Sequence, residues 1–423
     1  MVAEVIQQKT GKVFYWFGLL LIFWLPLDNS FIPLLSFLWL FSGLVWIIIS
    51  VFFTKQRILQ KNNVKNSYLL LFVALYVLHI ISVVYSENQS SAFFGLEIKL
   101  PLLFFPVFSV VMLTVNTQKR LDNLLMAFVF GNLTAILIDF SMAFFGHEQI
   151  HISNFFYRDL SYFHHPSYFA LYLAFSLAVL LFRFIPRYNL RESLKGNLLL
   201  ILSIIFFGFV ILLSSRAGII ALLVIPVLKI IQLLSLSKMH RLYKMGIVLL
   251  TILVMILLAA TNSRVQKAYQ SFTGTFNIEE IEDQEDLSSA QTRVIIWKSS
   301  LELIKENWLF GIGNGDVKQE IHRQSNEILG NENQLKRHYN AHNQYLDTFL
   351  AIGITGLIIL LVIILWPGIY AVRKKDYLVL SIVLLIIIHF SFESMINRQA
   401  GVIFLSFFLP VLFYYSNPGK KDY

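Results

Sequence analysis

Three side chains far apart in the chain have the chemistry of group transfer at a phosphate: Arg216, Arg293 and His342. A guanidinium is planar and always charged, and it grips a phosphate through two parallel hydrogen bonds. An imidazole is the side chain best suited to general base work near neutral pH. Each has a plainer reading. Arg216 sits in Ser214-Ser-Arg-Ala-Gly218 between two apolar runs, where an arginine either snorkels to anchor a hairpin or clamps a phosphate. Arg293 opens an amphipathic stretch and is either solvated or a second clamp. His342 is either a base or a structural residue at a helix start. Glu393, carried as a substrate-binding candidate, either pairs with Arg398 or orients a catalytic group.

Further candidates surround these. His338 and His342 are four apart, a spacing that on a helix would put both on one face, yet no third ligand is near and a metal site is not expected. His338 is kept as a substrate contact. His164-His-Pro166 and Tyr168 would line a sugar pocket or sit in an interfacial aromatic belt, and His165 and Tyr168 are carried as substrate-binding candidates. The run Gly311-Ile-Gly-Asn-Gly315 lacks the Lys-Ser/Thr of a P-loop and a preceding strand, so it reads as a turn between helices. No Asp-x-Asp pair that could hold a nucleotide-sugar metal occurs, nor a Gly-x-Ser-x-Gly elbow.

These residues must be positioned by a membrane protein. Of 423 residues, 57% are hydrophobic and only 14% charged, with 39 Phe, more apolar surface than a soluble fold of this length can hide. Hydropathy predicts an all-α polytopic protein with about twelve transmembrane helices, at 13–27, 34–53, 67–84, 100–115, 124–145, 168–185, 197–214, 217–234, 245–261, 345–369, 377–392 and 399–415. The first of these reads as a retained span and not as a cleaved signal. Cysteine is absent, which excludes disulfides and thiolate metal sites. The net charge of +9 would suit nucleic acid, but in a membrane protein the distribution of Lys and Arg carries the meaning, and no nucleic-acid partner is expected.

That distribution alternates. One set of loops holds Lys55, Arg57, Lys61 and Lys65, then Lys119 and Arg120, then Arg187, Arg191 and Lys195, then Lys238, Arg241 and Lys244, then Arg373, Lys374 and Lys375. Both termini join this set through Lys9, Lys12, Lys420 and Lys421. The opposite short loops hold only Lys99, Arg158, Arg216 and Arg398. The positive-inside rule places both termini in the cytoplasm and 262–344 outside, periplasmic in a Gram-negative cell.

The chain thus divides in three. Residues 1–261 form a transmembrane domain, 262–344 a polar helical insert, and 345–423 a second transmembrane domain. Within the insert, the acidic run at 279–286 has little to bury and reads as disordered. A helix over 289–307 is expected to put Val294, Trp297, Leu301 and Ile304 on one face, with Trp297 and Trp308 suited to the membrane interface. A second amphipathic helix follows over about 316–329. Such an insert suits an enzyme roofing a lipid-borne substrate.

Three pieces, in order, resemble one family: Ser214-Ser-Arg-Ala-Gly218; Arg293-Val-Ile-Ile-Trp297 running on to Asn307-Trp-Leu-Phe-Gly-Ile-Gly-Asn-Gly315; and His342-Asn-Gln-Tyr-Leu346 followed by Gly353-Ile-Thr-Gly-Leu357. Together with Leu96-Glu-Ile-Lys-Leu-Pro101 and His164-His-Pro166, they resemble the O-antigen ligase and polymerase family of bacterial envelope glycan enzymes. The resemblance implies a C-type glycosyltransferase-like fold. It implies transfer of a glycan from undecaprenyl diphosphate, at the outer face of the inner membrane, with inversion and without a metal, cofactor or nucleotide sugar. In ligases the acceptor is lipid A–core; in polymerases it is another lipid-linked glycan. The family's phosphate-binding arginines fall on Arg216 and Arg293, and its catalytic histidine on His342. The ligase reading leads, with an O-antigen or exopolysaccharide polymerase as alternative. A lipid-linked glycan transporter is the reading from another class, disfavoured because no half-to-half symmetry is apparent and the charges lie at one face and not mid-bilayer.

Overall fold

The computed structural model describes residues 2–55, 58–59, 63–114, 117–146, 151–260, 289–330, 335 and 337–416. The acidic run at 279–286, the opening of the insert, and the cations Arg57, Lys61, Lys420 and Lys421 lie outside these. All the described secondary structure is helical. Among the described residues, eight helical stretches are long and apolar enough to cross a bilayer: Asn29–Phe53, Val64–Tyr85, Gln89–Met112, Thr117–Phe145, Pro166–Arg187, Leu194–Leu213, Arg216–Ser235 and Gln344–Lys374. The chain is a multi-pass membrane protein.

The expected twelve spans differ from these eight for identifiable reasons. The first helix, Val2–Trp24, starts well before the apolar run at 13–27 and takes in Glu4, Gln7, Lys9 and Lys12. Tyr377–Phe392 and Gln399–Tyr415 coincide with two expected spans but have only 16 and 17 residues. At 1.5 Å per residue such helices reach ~25 Å, short of the ~30 Å hydrocarbon core. The run at 245–261 coincides with Arg241–Ala260 up to residue 260, and 261 lies outside the described residues. The span at 100–115 is the second half of a longer element, because Gln89–Lys99 runs into Pro101–Met112 through Leu100. Proline is tolerated there as the first residue of a new helix, where its missing N–H costs nothing.

Two helices form the centre. Every residue of Pro166–Val179 is buried, as is every residue of Gln399–Tyr415 from Ala400 on. A helix apolar all round can be satisfied only inside a bundle. Their contact is aromatic: Phe175 lies 5.3 Å from Phe404 and 5.0 Å from Phe408, centroid to centroid. Such pairs contribute about 0.5–1.5 kcal/mol each beyond area burial. The outside of the bundle is apolar too, with Phe37, Phe41, Leu198, Ile201 and Ile204 exposed, as lipid contact requires.

The loops sort into two ends. At one, Arg183 and Arg187 pair with Asp122 at 2.8 and 2.7 Å, and Lys65 donates to the Tyr414 carbonyl. At the other, Ser167 meets Glu393, Lys99 meets Asn397, and Tyr85 donates to the Phe310 carbonyl. The described portion of the insert packs at this second end.

The insert contributes Ser289–Asn307 and Val317–Leu329. The second behaves as expected, burying Val317, Ile321 and Ser325 at helical spacing. The first does so only in part: Ile304 is buried and Val294 and Trp297 half-buried, but Leu301 is exposed, and Ile295, Ile296 and Leu303 are buried as well. The helix is held from two sides, against Val317–Leu329 through Ser299 and Ser325 (2.9 Å between hydroxyls) and against Gln344–Lys374. Its buried stripe is therefore rotated from the one that hydropathy alone selects.

The glycine run between the two insert helices is a turn, as expected, and it docks. Gln344–Lys374 is broken at Ile352 and Gly353, where Gly353 has φ +67°. The break frees backbone groups, and the turn satisfies them: Ile312 N–H donates to the Leu350 carbonyl at 2.7 Å, and Ile354 N–H to the Trp308 carbonyl at 2.9 Å. A Cβ on Gly353 would lie 2.1 Å from the Leu309 carbonyl oxygen, so only glycine fits.

Candidate active site

Glu393 is the hub. It ends the helix Tyr377–Phe392 in extended conformation and is 6% exposed. Its Oε1 accepts from Arg293 Nη2 at 2.9 Å and from the Ser167 hydroxyl at 3.2 Å. Its Oε2 accepts from His342 Nδ1 at 3.4 Å. Burial is the largest influence on this carboxyl and pushes it up. The His342 hydrogen bond and the charges of Arg293, His342 and His165 outweigh it and bring the carboxyl down to about 2. Glu393 is therefore ionised and can only accept. In a neutral His342 this requires the tautomer protonated on Nδ1, which leaves Nε2 with the lone pair. The arrangement differs from the expected pairing with Arg398, which is exposed. Glu393 is turned instead toward His342 and Arg293.

His342 is held from every side. Its φ is +46°, a left-handed value uncommon outside glycine and a form of stored strain. The neighbours impose it. Asn340 Oδ1 accepts the His342 N–H at 3.1 Å, and Trp297 Nε1 donates to the Ala341 carbonyl at 2.9 Å. Asn343 caps Gln344–Lys374 by accepting from the N–H groups of Tyr345 and Leu346. Trp297 thus clamps the histidine loop, a different role from lying in the membrane interface.

Arg293 lies in the first turns of Ser289–Asn307, with its side chain 15% exposed. It uses one nitrogen on Glu393, and a guanidinium carries five N–H donors in all. Arg216 is the first residue of Arg216–Leu236, after Ser214 in left-handed conformation and Ser215 as the cap. Ser215 ties this hairpin to the hub, since its hydroxyl donates to Ser167, which donates to Glu393. Arg216, Arg293, His342 and Glu393 therefore belong to one connected region, although they come from four separate segments.

A cavity of about 590 Å³ opens beside it, with His342, Glu393, His165, Tyr168, Arg158 and Arg398 in its wall. Arg216 and Arg293 are not among its lining residues. His165 caps Pro166–Val179, its Nδ1 accepting from Ser167 N–H. Burial lowers its imidazole below the ordinary value; Glu393 opposes this, and Arg158, Arg293 and His342 reinforce it. The Tyr168 hydroxyl donates to the Ser394 carbonyl at 3.5 Å. These two candidates line a pocket and do not form an exposed belt. Their neighbour His164 is buried against the Leu25 carbonyl, and burial lowers it to about 4.

His338 is a correction. It does not share a helical face with His342, because 337–341 are not helical. Its ring stacks on His322 at 4.1 Å, and it lines a neighbouring cavity instead. Among the described residues no group of three His, Asp or Glu could hold a metal.

Sequence reasoning passed over Ser167 and Ser215. Both stood inside segments already singled out, one after His164-His-Pro166 and one before Arg216. Lone serines carry no spacing signal, and only the fold joins them.

Comparison with known proteins agrees with this region. Residues 201–361 match the family model described as O-antigen ligase. Over 161 residues the chain is 26% identical to an uncharacterized protein of Haemophilus influenzae, covering 35% of this chain and 39% of that protein. The stretch matched by the family model contains Arg216, Arg293 and His342 and stops short of Glu393. Over residues 201–361, the chain is thus similar to the O-antigen ligase family.

Proposed function

We propose that the protein is a glycosyltransferase that moves a glycan from undecaprenyl diphosphate to an acceptor hydroxyl at the outer face of the bacterial inner membrane, with lipid A–core as the acceptor. The observation that carries this reading is the ionised Glu393 holding His342 by Nδ1 on a cavity wall, with Arg293 on the same carboxylate. His342 Nε2 takes the proton of the acceptor hydroxyl. The freed oxygen forms a bond to the anomeric carbon as the bond from that carbon to the diphosphate oxygen breaks. In-line attack inverts the centre. The departing diphosphate carries away the electron pair, and Arg216 and Arg293 stabilise its growing charge, the task a metal performs in other transferases. The helices Ser289–Asn307 and Val317–Leu329 roof this lipid-facing site, outside the cytoplasm, with both termini inside.

Purified protein in detergent, given lipid diphosphate-linked glycan and acceptor, is expected to transfer without any membrane gradient. Arg216→Ala and His342→Ala should reduce turnover with the protein still folded. Transfer at wild-type rate by both variants would remove the assignment. The acceptor is tested in cells. Loss of a ligase leaves core without O-chain and accumulates lipid-linked polymer, whereas core capped by a single unit would mean a polymerase.

A further inference from the structure

A second cavity, of about 480 Å³, lies against the first and shares Phe94, Ile98, Asn340 and Arg398 with its wall. A buried polar relay forms one side. Lys99 Nζ donates to Asn397 Oδ1 at 2.9 Å, and Asn397 Nδ2 donates to Asp347 Oδ1 at 2.8 Å. Lys99 is 3% exposed and Asp347 is 4% exposed. The other Asp347 oxygen, Oδ2, is buried and has no hydrogen-bond partner among the described residues. Ionisable groups inside a membrane bundle are costly and are kept where they meet a substrate or one another. An unmatched carboxylate oxygen in a cavity wall is a further cost unless something donates to it.

The charge in this wall is uneven: Lys99, Lys318 and Arg398 stand against Asp347. Phe94 adds an apolar face. Hydrogen-bonding side chains that can both donate and accept, beside a ring, suit a polyol.

We propose that this cavity is a saccharide subsite selective for a sugar that carries an acidic group. Asp347 Oδ2 accepts a sugar hydroxyl, Lys318 and Arg398 pair with the carboxylate or phosphate, and Phe94 covers the apolar face of the ring. Because Asn340 and Arg398 border both cavities, a sugar held here lies next to His342. The assignment extends the transferase reading and rests on it for the meaning of that adjacency, but not for the binding itself.

Saturation-transfer NMR tests it, using the full chain in detergent with His342→Ala so that chemistry is silent. The probes are glucuronate, glucose 6-phosphate and glucose. Both anions are expected to bind at least about five-fold more tightly than glucose, and as tightly as to the wild-type protein. Lys318 is exposed, so Lys318→Glu leaves the fold intact. It should weaken both anions about ten-fold, as loss of a charge-assisted contact does. Equal binding of glucose and glucuronate, no saturation of any probe, or indifference to Lys318→Glu would each overturn the proposal. A transferase reading that failed, with His342→Ala still transferring, would leave these binding results unaffected, so the two failures are distinct.

Discussion

Glu393→Gln is the most revealing single change. The carboxylate is 8% exposed and is shared by Arg293 at 2.9 Å, Ser167 at 3.2 Å and His342 at 3.4 Å. Its lowering from the ordinary 4.5 to about 2 corresponds to ~3 kcal/mol of preference for the charged form. Little of this is screened, since the group is buried. The amide keeps one acceptor but presents N–H either to Arg293 or to His342, both donors, so one contact turns repulsive. Removing one member of a buried pair costs about 3–5 kcal/mol. The neutral imidazole also loses the acceptor that fixes its proton on Nδ1, so transfer should fall ~10²–10⁴-fold, the usual worth of general base catalysis. Two assays check this: thermal unfolding in detergent, and single-turnover transfer with saturating lipid-linked glycan. Arg293→Ala closes a double-mutant cycle, and the pair should show about 3 kcal/mol of coupling in stability. Acid titration gives a further check. Above pH 4.5 the stabilisation is complete. As pH falls toward 2 the unfolded chain takes up a proton that the folded carboxylate refuses, and the stabilisation is lost. An unchanged unfolding curve together with transfer within two-fold of wild type would refute the hub.

Three further outcomes follow from the geometry. His164, held neutral by burial down to about 4, should make the fold lose stability as pH drops from 6.5 toward 4, by up to ~3 kcal/mol; His164→Gln should flatten that region of a pH–stability curve. Gly353→Ala forces a Cβ against the Leu309 carbonyl at φ +67° and should destabilise by about 2–4 kcal/mol, read as a lowered melting temperature. Trp297→Phe deletes the N–H that holds the Ala341 carbonyl and should cost only about 1 kcal/mol of stability. It should lower the turnover number more than it changes KM, as measured by initial-rate kinetics.

Much of this was legible in the chain. The charge alternation of the loops already separates the Arg187 end from the Arg216 end, because lysines and arginines track loop position whatever the helix packing. Arg216, Arg293 and His342 stood out since each is a polar group at the edge of an apolar run. Glu393 could be noticed but not assigned. Its partners lie 51, 100 and 226 residues away, and sequence spacing says nothing at that range. Lys99 failed to stand out for the opposite reason. It reads as a stray outside cation, and only the path of Gln89–Lys99 into Leu100 and Pro101 brings it beside Asn397. Hydropathy alone misplaces part of the stripe of Ser289–Asn307 because it weighs Leu301 above Ser299 and Ser300, whereas a helix gripped on two sides buries small hydroxyls well.

The break at Ile352 and Gly353 also sets a length. Between it and His342 runs one uninterrupted rod, residues 344–351, about 12 Å at 1.5 Å per residue. One end carries the histidine loop, and the other is pinned to the glycine turn by two backbone hydrogen bonds. A displacement of that turn cannot be absorbed along the rod. It is passed on toward the His342 loop, so whatever presses on the glycine turn also bears on the position of this imidazole.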